Sequence, residues 1–291
     1  MKPSKPKKAP VVTQINQLDT LKDRFKLREY CVQKNIKTPD YFVSDQFLKI
    51  SHWAMKKNTF PLCIKSSLNH SHNHLIFVLK AFRELPEFFE HIQAKTNNAP
   101  VLIEEFIEGK AYLEVTLVNN QIRFISQIGL SKTMKLQQKW RAFPIKLPEN
   151  ILEKIKAIIG NFSELTTSVT EPIRFSFTVK NAEPILLSIN SDNSRLEYQE
   201  EWRKQADLEP LAEAIYPART KYISKINIYN VLKENKPDFS KAVEVCEYSK
   251  AKYDILNNKL YFMITSETPK NLSEDYEKAN AVIKQIIDGL A

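Results

Sequence analysis

The sequence predicts a mixed α+β chain in which helices alternate with antiparallel hairpins around a cleft-forming strand. Three observations lead there. Helix-period and strand-period segments follow one another along the 291 residues. Two pairs of short apolar runs joined by turn residues, Ala111–Val118 with Gln121–Ile128 and Ile173–Val179 with Pro184–Ile189, read as hairpins. The nonapeptide Val101–Gly109, VLIEEFIEG, is an apolar run that carries adjacent carboxylates and ends in glycine. Such a run suits a strand that leaves a core and passes a polar ligand. It follows, about forty residues later, another apolar run that ends in a lysine, FPLCIK at Lys65.

Each element has a local reason. The opening MKPSKPKKAP is basic and has no apolar segment after it, so residues 1–20 read as a solvated, disordered tail and not as a secretory signal. Leu21–Lys34 places Leu21, Phe25, Leu27, Tyr30, Cys31 and Val32 roughly on one helical face, and Asn35–Pro39 stops it, because a residue before proline disfavours the α conformation. Phe60–Lys65 and Leu75–Leu79 predict short strands, and Ala81–Ala94 predicts a helix ahead of the Val101 strand. Asn119-Asn120 suits the tight turn of the first hairpin. Asn150–Ile159 predicts a helix with Ile151, Leu152, Ile155, Ile158 and Ile159 inward, and Lys180–Glu183 turns the second hairpin. Beyond it, Asp207–Ile215 predicts a helix and Ile223–Leu232 a strand. Tyr253–Met263 is strand-like with a turn at Asn257-Asn258, and an amphipathic helix closes the chain from Ser273 to Ile287.

Composition bounds the function. A hydrophobic fraction of 43% supports one large core or two smaller ones. No window approaches eighteen consecutive apolar residues, which argues against a transmembrane helix. Cys31, Cys63 and Cys246 are an odd number in apolar surroundings, without a CxxC. That pattern predicts reduced thiols in the cytoplasm or another reducing compartment, leaves a non-classical export route open, and offers no zinc site. The net charge of +9 would attract phosphates, nucleic acid or an acidic protein partner. Four lysines sit in the first eight residues and the rest are spread out, with no basic block interleaved with aromatics, so nucleic acid is a minor alternative. There are only four glycines, against the roughly twenty that average usage would give. Any phosphate-binding loop here must therefore do without the close backbone approach that glycine allows.

Taken in order, KDRFKLREYCVQKNIKTPDY, FPLCIK, VLIEEFIEG, RAFPIKLPENILEKIKAII and RFSFTVKNAEPILLSIN resemble the ATP-grasp superfamily from about Asp23 to Arg195. The resemblance implies an α+β ATP-grasp fold, with two α+β subdomains and a nucleotide cleft between them. The lysine subdomain would span about 40–100 and the second about 101–203, within a domain covering 21–203. A small C-terminal β-rich region with its closing helix would occupy 204–291. Only about twenty residues precede the resemblance, so the Rossmann-like domain usual at that end of the family is expected to be lacking. The family joins a carboxylate to an amine or thiol through an acylphosphate, using ATP and Mg²⁺ or Mn²⁺.

Residue by residue, the resemblance implies an uneven site. Lys65 falls where the family contacts nucleotide phosphate, and Glu104, Glu105, Phe106 and Ile107 where it holds the adenine edge. The acid that usually holds the ribose is replaced by Ala111, with Glu114 nearby. The phosphate-covering loop falls on Asn69–His74, NHSHNH, and lacks both expected glycines. There His70, His72 and His74 would project to one side of an extended segment, as a polar loop, as part of a metal site or as phosphate contacts. The metal acids fall on Ser176 and Ser188, and only Asn190 keeps its family type, with Asp192 or Glu183 as displaced substitutes. Mg²⁺ needs hard, charged oxygen ligands, so Mg²⁺ or Mn²⁺ is poorly supported while ATP remains the implied cofactor. Arg141, Arg174 and Arg195 are candidates to grip an anionic substrate. The implied function is a degenerate, non-catalytic or repurposed binding protein (a pseudoenzyme) that keeps nucleotide or anionic-ligand binding. The alternative is a divergent ATP-dependent carboxylate–amine ligase.

Overall fold

A computed structural model of the chain describes residues 23–67, 75–109, 111–130, 138–143, 145–167, 172–191, 221–229, 237–256 and 259–289. It is an α+β structure built on two antiparallel sheets. The smaller has four strands in the order β1-β4-β2-β3: β1 Tyr41–Ser44, β2 Leu62–Ser66, β3 Ile76–Leu79 and β4 Val101–Glu105. Helices α2 (Phe47–Lys57) and α3 (Leu85–Lys95) pack on it over a core of Ile50, Leu62, Ile64, Phe77, Phe89 and Ile103.

The larger sheet has eight strands in the order β11-β12-β10-β7-β6-β5-β8-β9. Its first half comprises β5 Ala111–Val118, β6 Gln121–Leu130, β7 Gln138–Phe143, β8 Ile173–Lys180 and β9 Glu183–Ser191. One face is covered by α4 (Glu149–Gly160) and the single turn α5 (Ser163–Thr166), and it buries Val115, Ile155, Phe162, Phe175, Phe177 and Ile189. The second half continues through β10 Lys221–Tyr229, β11 Lys250–Leu256 and β12 Lys259–Ser266. It packs α6 (Ser240–Glu244) and α7 (Pro269–Asp288) over Phe239, Leu260, Phe262, Leu272 and Ile283. Asp275 of α7 is fully buried and accepts the N–H groups of Glu247 and Tyr248, which fixes the loop before β11 to the closing helix.

Helix α1 (Arg24–Gln33) joins the two sheets. Its Asp23 N-cap accepts from the N–H of Phe25 and of Lys26, so the helix begins at Arg24 and not at the predicted Leu21. Leu27 and Cys31 sit in the core of the larger sheet, while the Arg24 N–H donates to the Ser67 carbonyl at the end of β2. Both predicted hairpins are present, and each closes on two residues of positive φ, Asn119-Asn120 and Asn181-Ala182. These are the left-handed pairs that a two-residue turn between twisted strands requires. The helix predicted over Ala81–Ala94 divides into a 3₁₀ turn at Phe82–Glu84 and α3, because Pro86 is tolerated only in a first turn. Helix α2 and strands β1 and β7 are additions to the predicted elements. The predicted Asp207–Ile215 helix lies outside the described residues. Among the described residues no helix is long and apolar enough to cross a membrane.

Candidate functional site

The cleft between the two sheets is a cavity of about 280 Å³. From the smaller sheet and α1 it receives Arg24, Cys63, Lys65, Ile76, Glu104 and Glu105. Strands β5, β6, β8 and β9 contribute Glu114, Ser176, Ser188 and Asn190 with an apolar floor of Leu113, Ile128 and Phe177, and Phe106, Ile107 and Tyr112 stand where the chain passes from one sheet to the other. A larger cavity of about 420 Å³ lies beneath the β5–β6 turn against α4, lined mainly by Leu117, Ile122, Ile125, Leu152 and Ile159. Its lysine, Lys156, is held by Glu153 of the same helix. We take the smaller cleft as the candidate site, because of these two cavities it is the one into which charged groups from different elements converge among the described residues.

Its first wall is a buried charge cluster. Cys63 and Lys65 lie on β2, and Cys63 is the register partner of Glu104 on β4, so Lys65 reaches diagonally along the face to Glu104. The Lys65 Nζ donates to Glu104 Oε1 at 2.5 Å. Arg28 Nε and Nη2 donate to Glu104 Oε2 at 3.2 and 3.0 Å. Arg28 Nη2 also donates to the Leu187 carbonyl at 2.7 Å, which ties β9 of the larger sheet to the same carboxylate. Arg24 Nη1 donates to the Ser66 carbonyl at 2.6 Å.

Burial and charge compete within this cluster. Burial by itself pushes Glu104 upward, but the charges and hydrogen bonds of Arg28 and Lys65 outweigh it and hold the carboxyl below its ordinary range. Lys65 is lowered, because its complete burial outweighs the attraction of Glu104 while Arg28 and Arg24 repel. The two directions belong to one pair: Glu104 has two cations beside it, whereas Lys65 has one carboxylate and is repelled by Arg28 and Arg24. Arg24 is lowered to about 10, mainly by burial. Cys63 is pushed up to about 11, chiefly by burial, which keeps it a thiol and not a nucleophilic thiolate.

Glu104 is therefore an internal counter-ion, fully engaged by two cations. The Glu105 N–H donates to the Asp40 carbonyl and the Phe106 N–H to the Pro61 carbonyl. Among the described residues the Ile107 N–H has no hydrogen-bond partner, and Ile107 is one of the residues that line the cleft. The Ile107 carbonyl accepts from the Tyr112 hydroxyl at 3.1 Å.

The second wall is a cross-strand row. Glu114 on β5 faces Ser126 on β6 and Ser176 on β8, and Ser176 faces Ser188 on β9. The Asn190 amide donates to Ser188 Oγ at 3.4 Å. Neither hydroxyl brings the charge of a metal-binding carboxylate. Glu114, the carboxylate beside Ser176, meets Arg141 Nη2 at 2.7 Å and Arg174 Nη1 at 3.7 Å, and Arg141 Nη1 donates to Ser126 Oγ at 2.9 Å. Glu183 is displaced to the hairpin end, where it pairs with Lys37 and Lys154. Among the described residues no group of three or more His, Cys, Asp or Glu side chains gathers where it could hold a metal. This donor set, taken among the described residues, does not fit the Mg²⁺ or Mn²⁺ that the resemblance implies.

The structure thus brings together Lys65, Glu104, Glu105, Phe106, Ile107, Glu114, Ser176, Ser188 and Asn190, with Arg141 and Arg174 held behind Glu114. His70, His72, His74, Asp192 and Arg195 lie outside the described residues. Sequence reading placed Arg24 and Arg28 in a helix motif but gave them no part in the site. Their signal was the spacing: four residues apart, both on the helix face that the apolar pattern assigns to the interior.

With these features in place the class of protein is defined: the chain has the ATP-grasp fold. It superposes on an L-amino acid ligase from Bacillus licheniformis with a TM-score of 0.65 at 13% identity, over 91% of this chain and 73% of that one. A carboxyaminoimidazole ribonucleotide synthase from Aspergillus clavatus, solved with ATP, gives 0.63 at 13% identity over 93% and 75%. An ADP complex of the purK N5-carboxyaminoimidazole ribonucleotide synthetase gives 0.62 at 12% identity over 94% and 73%. No family model matches the sequence, and no curated protein matches it.

Proposed function

We propose that this chain is a binding protein built on the ATP-grasp fold, non-catalytic or repurposed, which holds a nucleotide or another anionic small molecule in the inter-sheet cleft. The observation that carries the reading is the row Glu114–Ser176–Ser188–Asn190, where neutral groups and a carboxylate engaged by arginine stand in place of metal-binding acids. Phosphoryl transfer relies on a metal to neutralise developing charge, and this row lacks the charged oxygens to hold one. Lys65 has three ammonium donors, of which one goes to Glu104, so it keeps the capacity to meet a ligand phosphate. The Ile107 N–H would meet a base edge, and Arg24 would supply further positive charge at the cleft wall.

In this reading residues 1–20 are a basic tail, 21–203 the ATP-grasp unit and 204–291 a C-terminal region, in a protein of the cytoplasm or another reducing compartment. A protein partner would be served by the scaffold in place of turnover. A second reading is favoured by the likeness to an L-amino acid ligase: a divergent ATP-dependent carboxylate–amine ligase acting through an acylphosphate, with Arg141 and Arg174 on the acid substrate.

Thermal melting with ATP and ADP, combined with an ADP-release assay over mixtures of carboxylates and amines, separates the two. Binding at about a hundredfold excess over Kd should stabilise the fold by about 2.7 kcal/mol and raise Tm, without ADP release. Lys65→Ala should remove that rise, once its own lower baseline Tm is subtracted. Release of ADP that depends on both an acid and an amine establishes the ligase instead. Absence of any shift with nucleotide or other phosphate anions sinks the binding reading.

A further inference from the structure

We propose that the second cavity, beneath the β5–β6 turn, is a binding site for a small aliphatic molecule with an uncharged polar end, separate from the inter-sheet cleft. The inference does not depend on the function proposed for that cleft. The cavity volume of about 420 Å³ lies within the range of about 300–1,000 Å³ that small-molecule pockets occupy. Its make-up also has their usual form, an apolar interior with a few polar groups at the edge.

The hairpin register builds the interior. Along β5 and β6 Val115 faces Ile125 and Thr116 faces Phe124, but Leu117 faces Ile122, because the register shifts between Thr116 and Leu117 and passes over Arg123. An extra residue of this kind re-aims the side chains that follow it. An unshifted ladder would set Arg123 opposite Leu117, whereas the shifted one brings an isoleucine to the cavity beside Ile125. Helix α4 supplies Leu152 and Ile159 and ends at Gly160, which also lines the cavity. The φ of Gly160 is not positive, so the backbone there does not call for glycine, and a Cβ added to it would meet no atom within 4 Å. What the missing side chain leaves at this point is room.

The lining selects the ligand. Its apolar members are aliphatic, and it offers no aromatic ring on which a flat heterocycle would stack. It holds no carboxylate and one cation, Lys156, whose ammonium donates to Glu153 Oε1 at 2.7 Å. With that charge already answered, an uncharged polar end fits better than an anion. Asn120, Gln121, Ser163 and Thr166 supply amides and hydroxyls to meet it. The Asn120 amide donates to Thr167 Oγ1 and the Thr166 hydroxyl to the Ser163 carbonyl, while among the described residues the exposed Gln121 amide makes no side-chain hydrogen bond. A small molecule suits the site better than a protein surface does. Of the exposed large hydrophobic residues described, Val32, Leu48, Met55, Phe82, Tyr248 and Tyr253, none lines the cavity, so its opening is not set in an apolar patch of the interface kind.

Straight-chain 1-alkanols from butanol to decanol are the probes, titrated into the full chain labelled at its isoleucine, leucine and valine methyl groups and followed by methyl NMR. Saturable shifts and ligand contacts are expected at Leu117, Ile125, Leu152 and Ile159. Affinity should rise about fourfold with each added methylene, the factor that about 0.8 kcal/mol per buried methylene gives, and level off once the cavity is full. Gly160→Phe, whose Cβ meets no neighbouring atom, should keep the fold and weaken the tightest alkanol by about tenfold, or 1.4 kcal/mol. The absence of saturable changes at those four residues overturns the proposal, and so does equal affinity in Gly160→Phe. Affinity that climbs through decanol without levelling also overturns it, since that is partition onto exposed apolar surface. An alkanoate that binds more tightly than the alkanol of equal length overturns the uncharged end.

Discussion

The two walls of the cleft are both rich in polar groups, yet they solve opposite problems. On the first wall a single carboxylate, Glu104, is sealed between Lys65 and Arg28 at 3% exposure, and every oxygen it presents is engaged. On the second, hydroxyls and an amide occupy the row where charge would be expected, and the nearby carboxylate is covered by arginine. Surrounding β-strands are equally well buried in both places, with Ile103 at 0% exposure on one side and Phe175 at 0% on the other. The difference therefore lies in side-chain chemistry alone. On the first wall the charged groups also hold the fold together, whereas the row on the second wall carries neutral groups.

The largest expected effect tests whether the first wall is structural. Arg28→Met removes both hydrogen bonds to Glu104 and the one to the Leu187 carbonyl, leaving the carboxylate to Lys65 alone. Removing one partner from a buried ion pair costs about 3–5 kcal/mol. Urea unfolding should show a loss of that size, and a loss below about 1 kcal/mol would mean that the cluster does not tie the two sheets together.

Acid should act on the same wall. Folded Glu104 releases its proton more readily than a free glutamate, whose pKa is about 4.3, since Arg28 and Lys65 outweigh the burial that pushes it upward. As pH falls, the unfolded chain takes up this proton first. The contribution of the cluster is thus complete above the unfolded value, and it is lost as pH falls through it towards the lower folded pKa. Denaturation curves taken across that window should fall more steeply for the natural chain than for Glu104→Gln. Equal slopes would show that Glu104 is not held below its ordinary range.

How much of this was legible differs between the walls. The strand VLIEEFIEG and the Lys65 strand announced the cleft, and the two asparagine-bearing turns announced both hairpins, because period-2 patterning and left-handed turn residues are local properties. That Ser176 stands opposite Ser188 could also be read, since a strand's alternation fixes which residues share a face once the hairpin register is known. Pairing could not. Nothing local says that Glu104 faces Lys65 and Arg28 at sequence distances of 39 and 76 residues, or that Arg141 folds back onto Glu114. Helix α2 was passed over although Ile50, Ser51 and Ala54 form its buried face, because Leu48 and Met55 are exposed and blur the apolar stripe. Strand β7 was missed for a similar reason: its Trp140 packs across Gly129, against ring atoms 2.1 Å from where a Cβ would stand, a contact visible only after pairing.

The smallest expected effect sharpens the comparison on the second wall. Ser176→Asp combined with Ser188→Glu places two carboxylates opposite each other on β8 and β9, beside Glu114 and within reach of the Asn190 amide. In EDTA the acids repel, so the double variant should melt below the natural chain. With Mg²⁺ and ADP that penalty should shrink, since hard oxygens now supply the charge that the hydroxyls lack. The natural chain should gain nothing from the metal under the same conditions. A metal-dependent gain of about 1 kcal/mol confined to the variant corresponds to a Tm rise of roughly 2–4 °C for a chain of this size. Should the natural chain show the same gain, the serine row would be competent for metal as it stands, and the contrast in chemistry between the walls would be lost.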